Sequence, residues 1–225
     1  MILQHIIDGS SFVPNLSPLV LYPLAAAIGY LLGSLNWSII FSQLIYKSDI
    51  RKYGSGNAGM TNTLRTYGKS KAALVFGLDM LKTVAAGLIG AALLGYDMGV
   101  KIGGLFAVLG HVYPLYYHFK GGKGVVCGIT VVALMDWRVA CCVLGVFLVV
   151  LAIKRIISLS SVCGALTFPV GTLIFHPGDW FSIGFAVVTG LFIVWLHRAN
   201  IKRLLEGTEA PITAKKEKRE KGAAR

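Results

Sequence analysis

From residue 19 to residue 197 the chain is an almost unbroken succession of apolar segments, roughly 19–46, 72–95, 100–118, 124–137, 139–153, 158–176 and 180–197. Each is closed by charge, glycine, proline or a short polar turn. This recurrence fixes the solvent. With 55% hydrophobic and only 14% charged residues, the chain has too little polar surface to hydrate a soluble domain, so most of it must face lipid. Lipid offers no partner to a backbone N–H or C=O, which restricts spanning structures to helices and closed barrels. The segments share a Val/Leu/Ala/Gly composition without strict alternation, so they are helices. The sequence therefore describes an all-α integral membrane protein with about seven transmembrane helices. Several segments are shorter than the ~20 residues of a perpendicular span. If 124–137 and 139–153 instead form a re-entrant hairpin, the count falls to five.

The net charge of +12 raises the question of a nucleic-acid partner, and the distribution of the charge argues against one. When the connections are assigned alternately to two sides, one side collects six basic residues in 47–71, Lys120 and Lys123, Lys154 and Arg155, and nine after Leu196. The other collects Lys101 and Arg138. The positive-inside rule makes the first side cytoplasmic, with the N-terminus outside and the C-terminus inside. Residues 1–18 then form an extracytoplasmic segment, 19–205 the membrane domain and 206–225 a basic cytoplasmic tail. The opening MILQHIIDGSSF lacks a basic region and a small-residue cleavage site, so no removable signal peptide is expected. Cys127, Cys141, Cys142 and Cys163 lie in apolar segments without C-x-x-C spacing, which points to packing.

The basic connections have particular neighbours. Residues 49–65 read DIRKYGSGNAGMTNTLR, in which Arg51 precedes a run containing Ser55, Gly56, Asn57, Gly59, Thr61 and Asn62. Glycines admit a ligand close to backbone N–H groups, and Ser, Thr and Asn add short donors, so the loop is suited to cradling a phosphate dianion. The same residues also favour ordinary turns, and both readings stand at this level. A second loop, GHVYPLYYHFKGGKG at 110–124, sets Lys120 and Lys123 around Gly121 and Gly122. It is not a nucleotide P-loop, since Gly124 follows Lys123 where Ser or Thr is required. At the end of the last span, His197 and Asn200 are three apart and share a helical face. Ser34 interrupts the first span, and Arg155, Ser158, Ser160 and Ser161 stand at a membrane entrance where serines also serve as caps. Asp79 and Lys82 lie three apart inside an apolar span and are expected to neutralise each other. His111 and His118 flank an aromatic stretch and are read as packing or helix-bridging residues.

No H-E-x-x-H, G-x-S-x-G or H-x-x-x-x-D pattern is present, so neither a metal site nor a serine nucleophile is expected. A phosphate transporter would show internal repeats and polar groups at the midplane, whereas here the polar motifs gather at one face. A scaffold binding anionic lipid would explain the tail but not the Asn and Gly of SGNAGMTN.

GSLN, DIRKYGSGNAGMTNTLR, GHVYPLYYHFKGGKG, RIISLSS and HRANIKRLLEGTE occur here in the order found in bacterial acyl-phosphate:glycerol-3-phosphate acyltransferases, and the chain resembles that family from about residue 24 to 209. The resemblance implies a multi-pass enzyme of the bacterial cell membrane with its site on the cytoplasmic side and no cofactor. It would move an acyl group from acyl phosphate to the 1-hydroxyl of sn-glycerol 3-phosphate, the first acylation step of phospholipid synthesis. Carried onto this chain, the family's functional positions fall on Ser34, Arg51 with the loop Ser55 to Asn62, Lys123, Ser158, and the pair His197 and Asn200. Two departures are Asn36, where the family has proline, and Leu196, where it has arginine.

Overall fold

The computed structural model describes residues 16–212; the N-terminal segment and most of the basic tail lie outside them. Among the described residues every regular element is helical. In chain order they are α1 (Pro18–Ser34), α2 (Trp37–Tyr46), α3 (Met60–Tyr67), α4 (Lys69–Leu94), α5 (Tyr96–Val112), α6 (Val125–Met135), α7 (Trp137–Lys154), α8 (Ile157–Phe175), α9 (Trp180–Leu196) and α10 (Arg198–Leu205), with 3-10 turns at Ile50–Lys52 and Leu115–Tyr117.

Helices α1, α4 and α5 pack as one group and α7, α8 and α9 as another, and α6 lies between them against α4, α5 and α7. The first group is held by backbone-to-backbone approach at small residues, as membrane helices require when lipid gives them no hydrophobic drive to associate. A Cβ on Gly33 would stand 2.2 Å from the Ala107 carbonyl oxygen, and one on Gly90 would stand 2.2 Å from that of Gly99. In α7 Val139 is the one fully buried residue, Ala140 and Val143 pack beside it, and one face turns outward. That corrects the packing role for Cys141 and Cys142, which are exposed, while Cys127 is buried.

The expected count is about seven, or five with a hairpin at 124–137 and 139–153, and the helices fall within that range. Among the described residues five helices are long and apolar enough to cross a membrane (Pro18–Tyr46 taken together, Lys69–Leu94, Tyr96–Tyr117, Trp137–Lys154 and Ile157–Phe175), and the bent pair α9 and α10, counted as one span, makes a sixth. The segment at 124–137 yields only an 11-residue helix, about 16 Å at 1.5 Å per residue, roughly half of a ~30 Å hydrocarbon core. The segment at 139–153 is the body of the full-length α7, so the pair is no symmetrical hairpin. The opening segment, read as one span, breaks at Leu35–Asn36, where the Asn36 side chain caps α2 by accepting from Ile39 N at 3.2 Å.

The chain alternates between two ends of the bundle. At one end the α6–α7 corner meets the α8–α9 corner through His176 Nε2 and Asp136 Oδ2, 2.8 Å apart. At the other, the connections at 47–59, 113–124 and 154–157 converge with α10.

Candidate functional site

The 47–59 connection is shaped by residues that the sequence offered as ligands. Asn62, buried on α3, accepts from Ser55 N at 3.0 Å and donates to the carbonyls of Ile50 at 3.2 Å and Tyr53 at 2.9 Å. The region read as a continuous loop therefore ends at Gly59, and Thr61 and Asn62 belong to the first turn of a helix. Gly56 adopts φ +71° and donates its N–H to Tyr53 O at 3.0 Å, which makes the turn possible. Arg51 folds back on the Asp49 carboxylate through Nε and Nη2, the latter at 2.7 Å, while Nη1 donates to the carbonyls of Tyr117 at 2.9 Å and Lys120 at 2.8 Å. The guanidinium beside Asp49 holds that carboxyl below the usual carboxylate range, its hydrogen bonds outweighing burial. Arg51 thus staples the two glycine loops together. Ser34 is fully buried; its hydroxyl donates to Tyr30 O at 2.8 Å and accepts from Leu115 N at 3.2 Å. Gly121 and Gly122 lie against the end of α5, their N–H groups donating to Val112 O and His111 O, each at 3.0 Å.

A cavity of about 260 Å³ opens between the two helix groups. Its polar end is walled by Ser55, Asn57, Gly59 and Thr61 on one side and by Lys123, Ser158, His197 and Asn200 on the other; its apolar end reaches Val132 and Phe168. Ser34, Arg51, Gly56, Gly121 and Gly122 stand behind this wall rather than in it.

Helices α3, α6 and α8 begin on the cavity wall at Met60, Val125 and Ile157, and none of the three has a side-chain N-cap. Their first-turn N–H groups and the positive ends of their dipoles are therefore available to an anion. Two cations stand beside them. Lys123 Nζ is hydrogen-bonded to Asn200 Oδ1, and burial lowers its pKa to about 8, with Arg203 and Arg65 nearby adding to the effect and Glu209 opposing it. Arg65 also lines the cavity, and its Nε is buried without a hydrogen-bond partner while Nη2 donates to Ala210 O at 3.1 Å.

Arg65 and Glu209 are the site residues that sequence reasoning missed. Arg65 was legible, since a helical reading of 60–67 puts it one turn beyond Thr61 on the same face. Glu209 was not: Gly207, at φ +70°, ends α10 and turns the chain back. Its carboxylate then accepts from Ser158 Oγ at 2.7 Å and from Asn200 Nδ2 and Arg203 Nε, both at 2.6 Å. Burial works against the charged form of Glu209, but these three donors prevail and keep its pKa below the ordinary value. Asn200 is consequently oriented between a cation and an anion. His197 places Nδ1 2.8 Å from the Ile193 carbonyl; because a carbonyl only accepts, Nδ1 carries the proton, and Nε2 of the neutral ring is an acceptor. Leu196 packs on the cluster of Val108, Val112, Cys127, Val131 and Ile193.

The expected Asp79–Lys82 pair is present at 2.8 Å, with both side chains buried. It is part of a larger group: Lys82 Nζ also donates to Gly33 O at 2.9 Å and Leu35 O at 2.7 Å and lies 3.1 Å from His111 Nδ1.

A model of the glycerol-3-phosphate acyltransferase family matches residues 23–207. The chain is 40% identical over 194 residues to a glycerol-3-phosphate acyltransferase of Thermoanaerobacter sp. (strain X514), covering 86% of this chain and 97% of the relative. To that of Maricaulis maris (strain MCS10) it is 42% identical over 198 residues, covering 85% and 88%. The crystal structure of PlsY (YgiH), an integral membrane glycerol 3-phosphate acyltransferase, in its glycerol 3-phosphate form matches with a TM-score of 0.78 at 36% identity, over 84% of this chain and 94% of that one. The lysophosphatidic acid form of PlsY matches with a TM-score of 0.76.

Proposed function

Because this chain belongs to the glycerol-3-phosphate acyltransferase family, we propose that the donor in its reaction is acyl phosphate and that the acyl group goes to the 1-hydroxyl of sn-glycerol 3-phosphate. The products are lysophosphatidic acid and inorganic phosphate. The observation that carries this reading is the convergence of three uncapped helix N-termini and two cations on one cavity whose far end is apolar. Both substrates bear phosphate, and one bears a hydrocarbon chain.

Acyl phosphate is a mixed anhydride, so the acceptor's hydroxyl oxygen can attack the carbonyl carbon directly. The new C–O bond forms, the bond from the carbonyl carbon to the phosphate oxygen breaks, and phosphate departs with the electron pair and takes up the hydroxyl proton. No acyl-enzyme or metal is needed; the protein has to orient the partners and stabilise charge. In our assignment the first turn of α3, with Ser55, Asn57, Gly59, Thr61 and Arg65, holds the acyl phosphate. Lys123, Ser158 and Asn200 hold glycerol 3-phosphate, and His197 Nε2 accepts from its hydroxyl. Ser34, Arg51, Gly56, Gly121, Gly122 and Asn62 act through the loops they shape. The acyl chain lies along the apolar wall toward Val132 and Phe168. Purified protein given acyl phosphate and glycerol 3-phosphate, without metal, should form lysophosphatidic acid; transfer from acyl-CoA or acyl carrier protein alone would overturn the donor.

The basic residues at the site end support an orientation in which this end faces the cytoplasm of a bacterial cell membrane, with the N-terminus outside. In a cysteine-free background, Ser70→Cys should resist an impermeant thiol reagent in intact cells and Pro177→Cys should react. The reverse pattern would invert the topology.

A further inference from the structure

The break between α1 and α2 lies behind the cavity wall, and two side chains organise it. From one side Lys82 gives hydrogen bonds to the Gly33 and Leu35 carbonyls, which the break deprives of helical partners, and it also touches His111 Nδ1. From the other, fully buried Asn36 accepts from Ile39 N with its oxygen, while its Nδ2 donates to Ala58 O at 3.1 Å and to His111 O at 3.5 Å. Ala58 lies between Asn57 and Gly59 of the first glycine loop. His111 O accepts from Gly122 N of the second, beside Lys123. The two loops meet here so closely that a Cβ on Gly122 would stand 2.5 Å from Ala58 O and 2.1 Å from His111 Nε2.

We propose that Asn36 and Lys82 are positioning residues that use the helix break as a hub, setting the spacing between the two glycine loops and hence between the two phosphates. Neither residue touches substrate in this scheme. The proposal rests on the reading of those loops as phosphate cradles. The physical case is that the apolar anchoring of the loops is small, Ile50 and Ala58 of the first packing with Ile39 and with Tyr117 of the second, and segments so lightly anchored are the first to open locally. Asn36 Nδ2 binds Ala58 O of the first loop and, at the end of α5, the same His111 carbonyl that accepts from Gly122 N of the second, so the two loops are tied to one buried point. Lys82, neutralised by Asp79 at 2.8 Å, keeps the end of α1 in place, and with it the position of Asn36.

The decisive variant is Asn36→Ser. Serine is an equally good helix cap, so α2 keeps its start, but its hydroxyl is too short to replace the donation to Ala58 O and His111 O. The expected result is a KM for glycerol 3-phosphate raised about three- to tenfold, the effect of one lost buried hydrogen bond. The kcat and thermal midpoint should stay near wild type. Hydrogen exchange should rise in peptides covering 111–124 and 54–60 and remain unchanged in α8 and α9. Asp79→Asn/Lys82→Met, which removes the charges as a pair and leaves the Gly33 and Leu35 carbonyls without a donor, should raise the same KM and the exchange of the same peptides with a lower thermal midpoint, and replaces Asn36→Ser if that variant fails to fold. Wild-type KM together with wild-type exchange in the folded variant would overturn the proposal, because Asn36 would then be a helix cap and nothing more. Raised exchange with unchanged KM would overturn the link to substrate. Wild-type protein that makes no lysophosphatidic acid from acyl phosphate would instead count against the donor, which the exchange measurement does not depend on.

Discussion

The three helices that start on the cavity wall and three that start at the other end of the bundle are finished in opposite ways. At the end away from the cavity, α1, α7 and α9 are each closed by a side chain: Ser17 accepts from Leu19 N at 3.3 Å, Asp136 from Arg138 N at 2.7 Å, and Asp179 from Ser182 N at 3.0 Å. The buried cation there is answered too, since Lys101 Nζ is 2.5 Å from Asp97 Oδ1. At the cavity end, α3, α6 and α8 are left open, and Arg65 Nε has no partner. A capped end is finished as structure. An uncapped end in a partly shielded cavity keeps its N–H groups and its positive dipole for a ligand, at a cost in stability that the rest of the fold offsets.

The sharpest way to break this contrast is to remove a cation at the open end. Arg65→Ala and Lys123→Ala should each lower kcat/KM at least tenfold, because a charge-assisted contact to a phosphate in such a site is worth roughly 1.5–3 kcal/mol. The thermal midpoint should hold. Folded variants with normal acyl transfer would mean that the cavity is not the site.

A smaller effect should follow from pH. Lys123 titrates near 8 in the free protein, lowered from 10.5 mainly by burial. Its charged form is present below that value and is lost above it. The kcat/KM for glycerol 3-phosphate should therefore fall as pH rises from about 8 toward 10, and Lys123→Arg should move the descending limb to higher pH. A limb that ignores the substitution would assign the titration to another group.

At the closed end the comparison predicts the converse, a change in stability without a change in catalysis. Asp136→Ala removes the cap of α7 and the partner of His176 and should lower the thermal midpoint in detergent by about 2–4 °C for a loss near 1 kcal/mol, leaving both KM values unchanged. The hydrogen bond from Arg138 is the main reason Asp136 has a pKa of about 2 rather than 3.8. The native state thus favours the ionised form, and the stability this contributes is complete above the ordinary value and is lost as pH falls through about 4 to 2. An unchanged midpoint, or a shifted KM, would erase the distinction between the ends. The smallest effect belongs to Lys202→Ala, whose side chain is 79% exposed with its ammonium 3.8 Å from Glu206. Its thermal midpoint and turnover should match wild type.

Much of this protein is determined locally and was therefore legible in one dimension. Apolar runs of 17 to 26 residues such as α4, α5 and α9 have no stable alternative to a helix in lipid. The Gly-rich loops declare themselves by composition, and Lys123, Ser158, His197 and Asn200, named from the sequence, line the cavity. Tertiary structure decided the rest, because it depends on groups far apart in the chain. Whether Arg51 or Arg65 faces the cavity turns on which of them finds other partners: Arg51 is claimed by Asp49, Tyr117 O and Lys120 O, and Arg65 Nε by none. Glu209 enters the site only because Gly207 reverses the chain over Ser158, 51 residues away. The break at Asn36 is similar, since hydropathy continues through it while the carbonyls it frees are satisfied by Lys82, 47 and 49 residues on. Burial in lipid can be read from a segment by itself, but the satisfaction of a buried polar group is a property of pairs, and the pairs exist only once the helices have packed.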